Sequence, residues 1–414
     1  MPSLCPFTPE SGTRRVNDWS FWKTHFRRVV SWRFEMKRVL VISILSGCFV
    51  SLASTQQAAG TCSNNWTEFH LSNMQRWNPC EKVLNVNNVG SLGLKWQFGN
   101  IVGPFLSSPA VADGVVYVGL GDGYLYALNS ETGVALWTYA AGGSGSSPAV
   151  ANGVVYVGSV NGNVYALNAR TGAKLWSYKT RGNDVSSSPA VANGVVYVGS
   201  DDGNVYALNA ITGAKLWSYR TRGSYVASSP AVANGVVYVG SDDDNVYALN
   251  ATTGAKLWSY TTGAYVYSSP AVANGVVYVG SFDNNVYALN ANNGAKVWSY
   301  TFGSAVYSSP AVANGMVYVG TTSGNMYALN ATTGAKLWSF AASGSVISSP
   351  AVANGVVYLD SYNGYVYALN ARTGAHLWSF ENCCFYPRVQ SSPAVSNGVV
   401  YFQDDDRIYA FGLN

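Results

Sequence analysis

The sequence predicts an all-β protein, an eight-bladed β-propeller of four-stranded antiparallel blades whose ring is closed by an N-terminal strand joining the last three strands. Three observations predict it. A Ser-Ser-Pro element recurs with its proline at Pro109, Pro148, Pro189, Pro230, Pro270, Pro310, Pro350 and Pro393, at spacings of 39 to 43 residues. A period near 40 with several strands per copy is what propeller blades require. Four residues after each proline comes an Asn-Gly pair, or Asp113-Gly114 in the first copy, and such pairs supply the positive φ angles of a two-residue type I′ hairpin. Seven copies then end on a tryptophan, Trp137, Trp176, Trp217, Trp258, Trp298, Trp338 or Trp378.

Before the repeats stands a leader. Eight of the 24 basic residues, Arg14, Arg15, Lys23, Arg27, Arg28, Arg33, Lys37 and Arg38, fall there with only Glu10, Asp18 and Glu35 for acids. An uncharged run, VLVISILSGCFVSLA, follows Lys37-Arg38. It is shorter than the roughly 18 to 20 residues of a membrane span and fits the core of an export signal. Residues 1–53 are therefore read as a leader, with its signal peptide at 36–53; Met36 makes a natural start, so that 1–35 is a mis-assigned extension or a long n-region. Ser51-Leu52-Ala53 suits ordinary signal peptidase, whereas Leu45-Ser46-Gly47-Cys48 spells a lipobox with Cys48 as the candidate lipidation site. Arg14-Arg15 lies too far upstream of the apolar run for a twin-arginine signal.

The overall charge is +4, with 11% charged, 48% hydrophobic and 14% aromatic residues, which excludes a disordered polyelectrolyte. Without residues 1–53, 16 basic and 17 acidic residues remain, a net charge of −1. The basic character belongs to the leader, so a nucleic-acid partner is not expected. A lead-in segment, 54–86, comes next. It contains Cys62 and Cys80, which in an oxidising compartment are expected to pair, a closure worth about 3 kcal/mol for a loop of this size.

The propeller is assigned to 87–414. In each copy strand A (SSPAVA) and strand B (VVYVG) flank the Asn-Gly hairpin, a polar turn such as Asp201-Asp202-Gly203 leads to strand C (VYALN), and a Thr-Gly turn leads to strand D (KLWSY). The last copy, 391–411, lacks strand D. Leu94-Lys95-Trp96-Gln97-Phe98, 41 residues ahead of Trp137, supplies it, and this closure leaves no free edge at the seam.

The run Ala169-Arg170-Thr171-Gly172-Ala173-Lys174-Leu175-Trp176 and its other copies resemble the tryptophan-docking motif of pyrroloquinoline-quinone (PQQ) repeat propellers. That family includes quinoprotein alcohol dehydrogenases and the outer-membrane assembly lipoprotein. The resemblance covers 87–411, including Asn88-Val89-Gly90 and Leu94-Lys95-Trp96, and implies that Trp96, Trp137, Trp176, Trp217, Trp258, Trp298, Trp338 and Trp378 pack between blades as scaffold.

Function is then expected where copies differ, on the face carrying the D-to-A and B-to-C loops. The candidate binding residues there are Phe105, Arg181, Asp184, Arg222, Tyr225, Tyr265, Tyr267, Tyr307, Cys383, Cys384, Phe385, Tyr386 and Arg388, a surface suited to a peptide, protein or sugar. Cys383-Cys384 is read as a candidate vicinal disulfide stiffening its loop. The resemblance also raises PQQ and calcium as cofactors, with Cys383-Cys384 as the family's adjacent-cysteine ring. The family carries that pair in an early blade, however, and here it enters the last one. The only glutamates of the propeller are Glu131 and Glu381, and the non-docking tryptophans after the leader, Trp66 and Trp77, precede it, so the carboxylate and aromatic floor of a quinone site lack material. The acidic turns, Asp201-Asp202, Asp242-Asp243-Asp244, Asp283 and Asp404-Asp405-Asp406, lack calcium-loop spacing and read as solvated turns. Gly119-Leu120-Gly121-Asp122-Gly123 precedes no helix and is no phosphate loop. Only His70 and His376 remain after the leader, which leaves little for a zinc site or a Ser-His-Asp centre.

The expectation is an exported, monomeric, non-catalytic propeller, periplasmic or extracellular, that binds a protein or extracellular ligand without cofactor or metal and touches membrane only through a lipid anchor. The alternatives are a PQQ- and calcium-dependent dehydrogenase and an outer-membrane assembly lipoprotein-like factor.

Overall fold

The computed structural model describes residues 63–413 apart from 70, 72–74, 100–106, 144, 183, 224, 382–390 and 405–406. Eight four-stranded blades form a ring, and blades 1 to 8 are numbered here by the copies that begin at Pro109 through Pro393. In blade 3 the strands are Ala190–Ala192, Val195–Gly199, Asn204–Asn209 and Lys215–Arg220, all antiparallel. Blade 8 is assembled from both ends of the chain: Leu92–Gly99 pairs with Arg407–Leu413, Trp96 facing Ala410.

Turn chemistry produces this regularity. All seven hairpin asparagines and Asp113 sit at φ between +42° and +51°, and the glycines after them between +74° and +81°. These are the left-handed conformations that a type I′ turn demands and that Asn, Asp and Gly tolerate best. Strand D carries a bulge: Trp217 faces Ala207 and Lys215 faces Leu208, so Leu216 between them has no partner. The bulge turns Trp217 inward and leaves Leu216 51% exposed.

Blades are joined by three repeated interactions. Each docking tryptophan donates its Nε1–H to a backbone carbonyl at 2.9 to 3.2 Å, that of the next blade's C-to-D turn in seven cases and, for Trp378, that of Leu92. The strand B tyrosine reaches the same carbonyl, as Tyr197 and Trp217 both do at Ala251. Nearest the axis, the amide of the second serine in each Ser-Ser-Pro donates to the Oγ of its counterpart one blade on, at 2.8 to 3.0 Å. The last of these bonds runs from Ser392 back to Ser108 and completes a ring of eight.

The seam breaks the pattern in one respect. Blade 8 has no C-to-D turn to meet blade 7, and a 3₁₀ turn, Val89–Ser91, stands there, with the carbonyl of Leu377 3.4 Å from where a Cβ on Gly90 would lie. Trp378 packs edge-on against Phe411, and the Tyr358 hydroxyl, which would donate to that missing turn, is buried with no hydrogen-bond partner among the described residues.

The lead-in is woven into the ring. Trp66 bridges to Val111 in blade 1, the Thr67 carbonyl accepts from Val150 in blade 2, and a Glu68 carboxylate oxygen accepts from Val191 in blade 3. The Gln75 carbonyl then meets Val312 in blade 6, and Trp77–Asn78 runs parallel to Val352–Ala353 in blade 7. The segment therefore crosses the axis from blade 3 to blade 6, satisfying inner-strand amides that would otherwise face an empty channel.

Two glycines separate backbone strain from packing. Gly235 (φ +76°) has open space where a Cβ would lie, whereas at Gly254 (φ +71°) that atom would stand 2.7 Å from the Trp217 ring. Gly235→Ala is expected to cost about 1 kcal/mol for the left-handed backbone alone. Gly254→Ala should cost at least about twice that, because overpacking adds roughly 1 to 3 kcal/mol; equal losses in chemical denaturation would refute the docking role of Gly254.

Candidate functional site

Strand B ends in glycine in the first six blades, and its N–H donates to the first serine of the same blade's Ser-Ser-Pro, as Gly199 does to Ser187 at 2.9 Å. A Cβ on Gly199 would lie 2.2 Å from the Val226 carbonyl, and Gly158, Gly240, Gly280 and Gly320 are crowded in the same way. In blades 7 and 8 this glycine is replaced by Asp360 and Gln403, whose amides keep the bond to Ser348 and Ser391. The Gln403 side-chain amide donates to the Gly119 carbonyl and ties blade 8 to blade 1.

Asp360 is fully buried, and both its carboxylate oxygens lack a hydrogen-bond partner among the described residues. It acts through space on Arg76. That guanidinium, also fully buried, donates to the carbonyls of Phe69, Ser349, Pro350 and Pro393 and lies over the rings of Phe69 and Trp66. Burial pulls the Arg76 pKa down to about 9, with Asp360 opposing, and burial pushes the Asp360 carboxyl well above the usual range, with Arg76 opposing. The pair anchors the lead-in under the inner ends of blades 7 and 8. Sequence reasoning missed it, although the loss of a repeated glycine at Asp360 was a readable signal.

Above this plug lies a cavity of about 140 Å³ on the axis, lined by the second serines of all eight blades, Phe69, Tyr267 and Tyr307. Tyr267, Phe282 and Tyr307 form a triangle with ring centroids 5.3 to 6.0 Å apart, two of the contacts edge-on. Tyr265 extends it, 5.7 Å from Tyr267. Tyr225, Tyr265 and Tyr307 are exposed, at 43%, 50% and 44%. Desolvation nevertheless raises the pKa of Tyr307, whose phenol is thus the sheltered part of a ring with a solvent-facing edge. Four aromatics from blades 5 and 6 therefore form one wall of the channel mouth. Phe282 was not singled out from the sequence.

The remaining candidates are spread around the rim. Arg181 and Arg222 are exposed, and their backbone amides donate to Asp202 and Asp243. Those aspartates, with Asp283, also accept from Tyr206, Tyr247 and Tyr287 at 2.5 to 2.6 Å. Burial raises the Asp202 pKa, but the bonds from Tyr206, Asn204 and Arg181 outweigh it and hold the carboxyl below its ordinary value. These acidic turns, expected to be solvated, instead clasp a D-to-A loop to the next blade, and Asp404 is buried and accepts from Tyr409. Asp184 is pushed up by burial and by Asp201 beside it. Phe105, Cys383, Cys384, Phe385, Tyr386 and Arg388 lie outside the described residues, as do Cys48, Cys62, Asp405 and Asp406. Cys80 is disulfide-bonded.

A quinone and its calcium do not fit the described residues. The axial cavity is well below the roughly 300 to 1,000 Å³ of ordinary ligand pockets and presents no carboxylate. No three His, Cys, Asp or Glu side chains cluster for a metal among the described residues, whereas calcium takes six to eight oxygens. An open groove of about 740 Å³ lies on the opposite face between blades 6 and 7, but except for Val86 its lining consists of residues of the repeat itself, chiefly turns and strand ends.

Fold and repeat together define the class, an eight-bladed propeller built from PQQ-type repeats. The chain belongs to the PQQ_2 family, described as outer membrane protein assembly factor BamB, whose model matches residues 93–146, 140–230, 223–310 and 283–413. It is similar in structure to the quinohemoprotein alcohol dehydrogenase of Comamonas testosteroni (TM-score 0.74, 17% identity, covering 86% of this chain and 81% of that one). It is also similar to BamB of Moraxella catarrhalis (TM-score 0.66, 19% identity, 78% and 99%). Lupanine 17-hydroxylase [cytochrome c] of a Pseudomonas species is 38% identical over 88 residues, 21% of this chain and only 13% of that relative's length.

The plug makes stability depend on pH. Burial raises the Glu68 carboxyl to about 8. Below the ordinary carboxylate range both folded and unfolded states are protonated; above it the unfolded chain ionises first, so stability is lost as pH climbs towards 8. The expected loss is on the order of 1 kcal/mol per pH unit between about pH 5 and pH 8. Asp360 adds in the same direction, and Arg76 stays charged in both states there. Denaturation at several pH values should show Glu68→Gln with a shallower slope than the parent; parallel slopes would refute the burial of this carboxyl.

Proposed function

We propose that the protein is an exported, non-catalytic binding module whose ligand sits at the channel mouth. The observation that carries this reading is the aromatic wall of Tyr265, Tyr267, Phe282 and Tyr307 over a cavity that no charged side chain among the described residues lines. Exposed aromatics clustered in a concavity are the usual anchors of recognition. Two kinds of ligand fit such a wall, an extended peptide and a soluble oligosaccharide. A redox role finds no support in the residues around the axis.

Export rests on the leader and agrees with the family, one member of which is an outer membrane protein assembly factor by name. Cleavage after Ala53 and pairing of Cys62 with Cys80 belong to this reading. Assembly-factor work is the second reading, favoured by the family match, and it requires an acylated Cys48.

Two measurements test these readings. Purified protein incubated with PQQ and Ca²⁺ is expected to show neither saturable cofactor absorbance nor dye-linked alcohol oxidation; binding with turnover would overturn the non-catalytic reading. Mass spectrometry of the mature N-terminus is expected to find Ser54 first, and a diacylated Cys48 would instead establish the lipoprotein.

A further inference from the structure

We infer that the ligand of the channel mouth is a neutral carbohydrate, an inference that rests on the binding-module reading above. It starts from the serine ring. Each second serine uses its Oγ to accept a neighbour's amide. At Ser188, Ser269, Ser309 and Ser349, for instance, the side chain is at least nine-tenths buried and lines the axial cavity. Among the described residues none of these four hydroxyls donates to a protein acceptor. A buried donor left without an acceptor costs about 1 to 3 kcal/mol, so the floor of the cavity favours a guest that brings hydroxyl oxygens of its own.

Charge decides against other guests. Among the described residues no Asp, Glu, Lys or Arg lines the cavity, and the buried cation, Arg76, has its donors engaged by four carbonyls. A phosphate or carboxylate would find hydroxyls and no counter-charge. A peptide would bring amide donors to a floor whose hydroxyls already accept one amide each.

The wall supplies the second half of sugar recognition. A pyranose carries an apolar C–H face beside its hydroxyl rim, and Tyr265, Tyr267, Phe282 and Tyr307 present adjacent rings at one edge of the donor floor, with the exposed edges of Tyr265 and Tyr307 accessible from solvent. The cavity is small enough to admit one sugar unit while the rest of an oligosaccharide lies along the outer tyrosines.

The test is calorimetric titration of the full mature chain with hexasaccharides of glucose (β-1,4 and α-1,4), N-acetylglucosamine and mannose. Saturable binding of at least one is expected, weakened about tenfold or more by Tyr265→Ala and by Tyr307→Ala, changed less than about twofold by Lys215→Ala on an outer strand, and insensitive to salt because no ion pair forms. Both tyrosines are solvent-exposed, and unchanged thermal melting of the variants separates lost binding from lost folding. If no sugar binds, or binding survives both tyrosine changes or falls steeply with salt, the inference is overturned. Extended peptides that bind and are lost in Tyr307→Ala while all sugars fail would overturn the carbohydrate and keep the binding module; failure of sugars and peptides alike would overturn both.

Discussion

The structure depends on the circular hydrogen-bond ring at its axis. A propeller blade is a sheet with an inner edge, and inner strands as short as Ala190–Ala192 have little of their own to hold eight sheets at one radius. The amide-to-hydroxyl bonds from serine to serine do so. Each bond is modest, about 1 kcal/mol in net terms, but the ring closes only if all eight blades stand at the same angle. Farther out, the tryptophans repeat the constraint. Seven of the eight occupy the space above a turn glycine and donate to that turn, so inner bond and outer wedge set the same tilt.

Closure then explains the two places where the repeat fails. At the seam the chain must enter and leave, so one C-to-D turn is missing, and Val89–Ser91 and Phe411 replace what Trp378 would have met. Within the ring the lead-in must cross the axis, which brings a cation into a space lined by carbonyls. Arg76 is stabilised there by the four carbonyls to which it donates, with Asp360, the one strand-B terminus to acquire a carboxyl group, acting on it only through space. Breaking such a buried pair is more costly than its net contribution suggests, because the partner left behind stays desolvated.

Much of this was legible in the sequence because it rests on local chemistry. Asn-Gly pairs dictate hairpins wherever they occur, and a missing tryptophan in the last copy left Leu94–Phe98 as the closing strand. The lead-in was less legible. Its contacts with blades 1, 2, 3, 6 and 7 join residues far apart in the chain, and nothing local in Thr67 or Gln75 announces a partner. At the candidate site, Tyr265, Tyr267 and Tyr307 were visible as departures from the repeat. Phe282 lay hidden in a turn read for its aspartates, and the serines were hidden by their regularity.

That regularity also governs how a site can arise. In a ring with a period near 40, residues one period apart are neighbours in space: Tyr267 and Tyr307 are separated by 40 positions and their ring centroids by 6.0 Å. Two adjacent loops need only change one residue each to create a contact that no single blade encodes, and the scaffold bonds, which use backbone and serine hydroxyls, are unaffected. The eightfold floor can thus remain uniform while one wall becomes particular. Among the described residues the serine floor repeats from blade to blade, while the aromatic departures gather in blades 5 and 6.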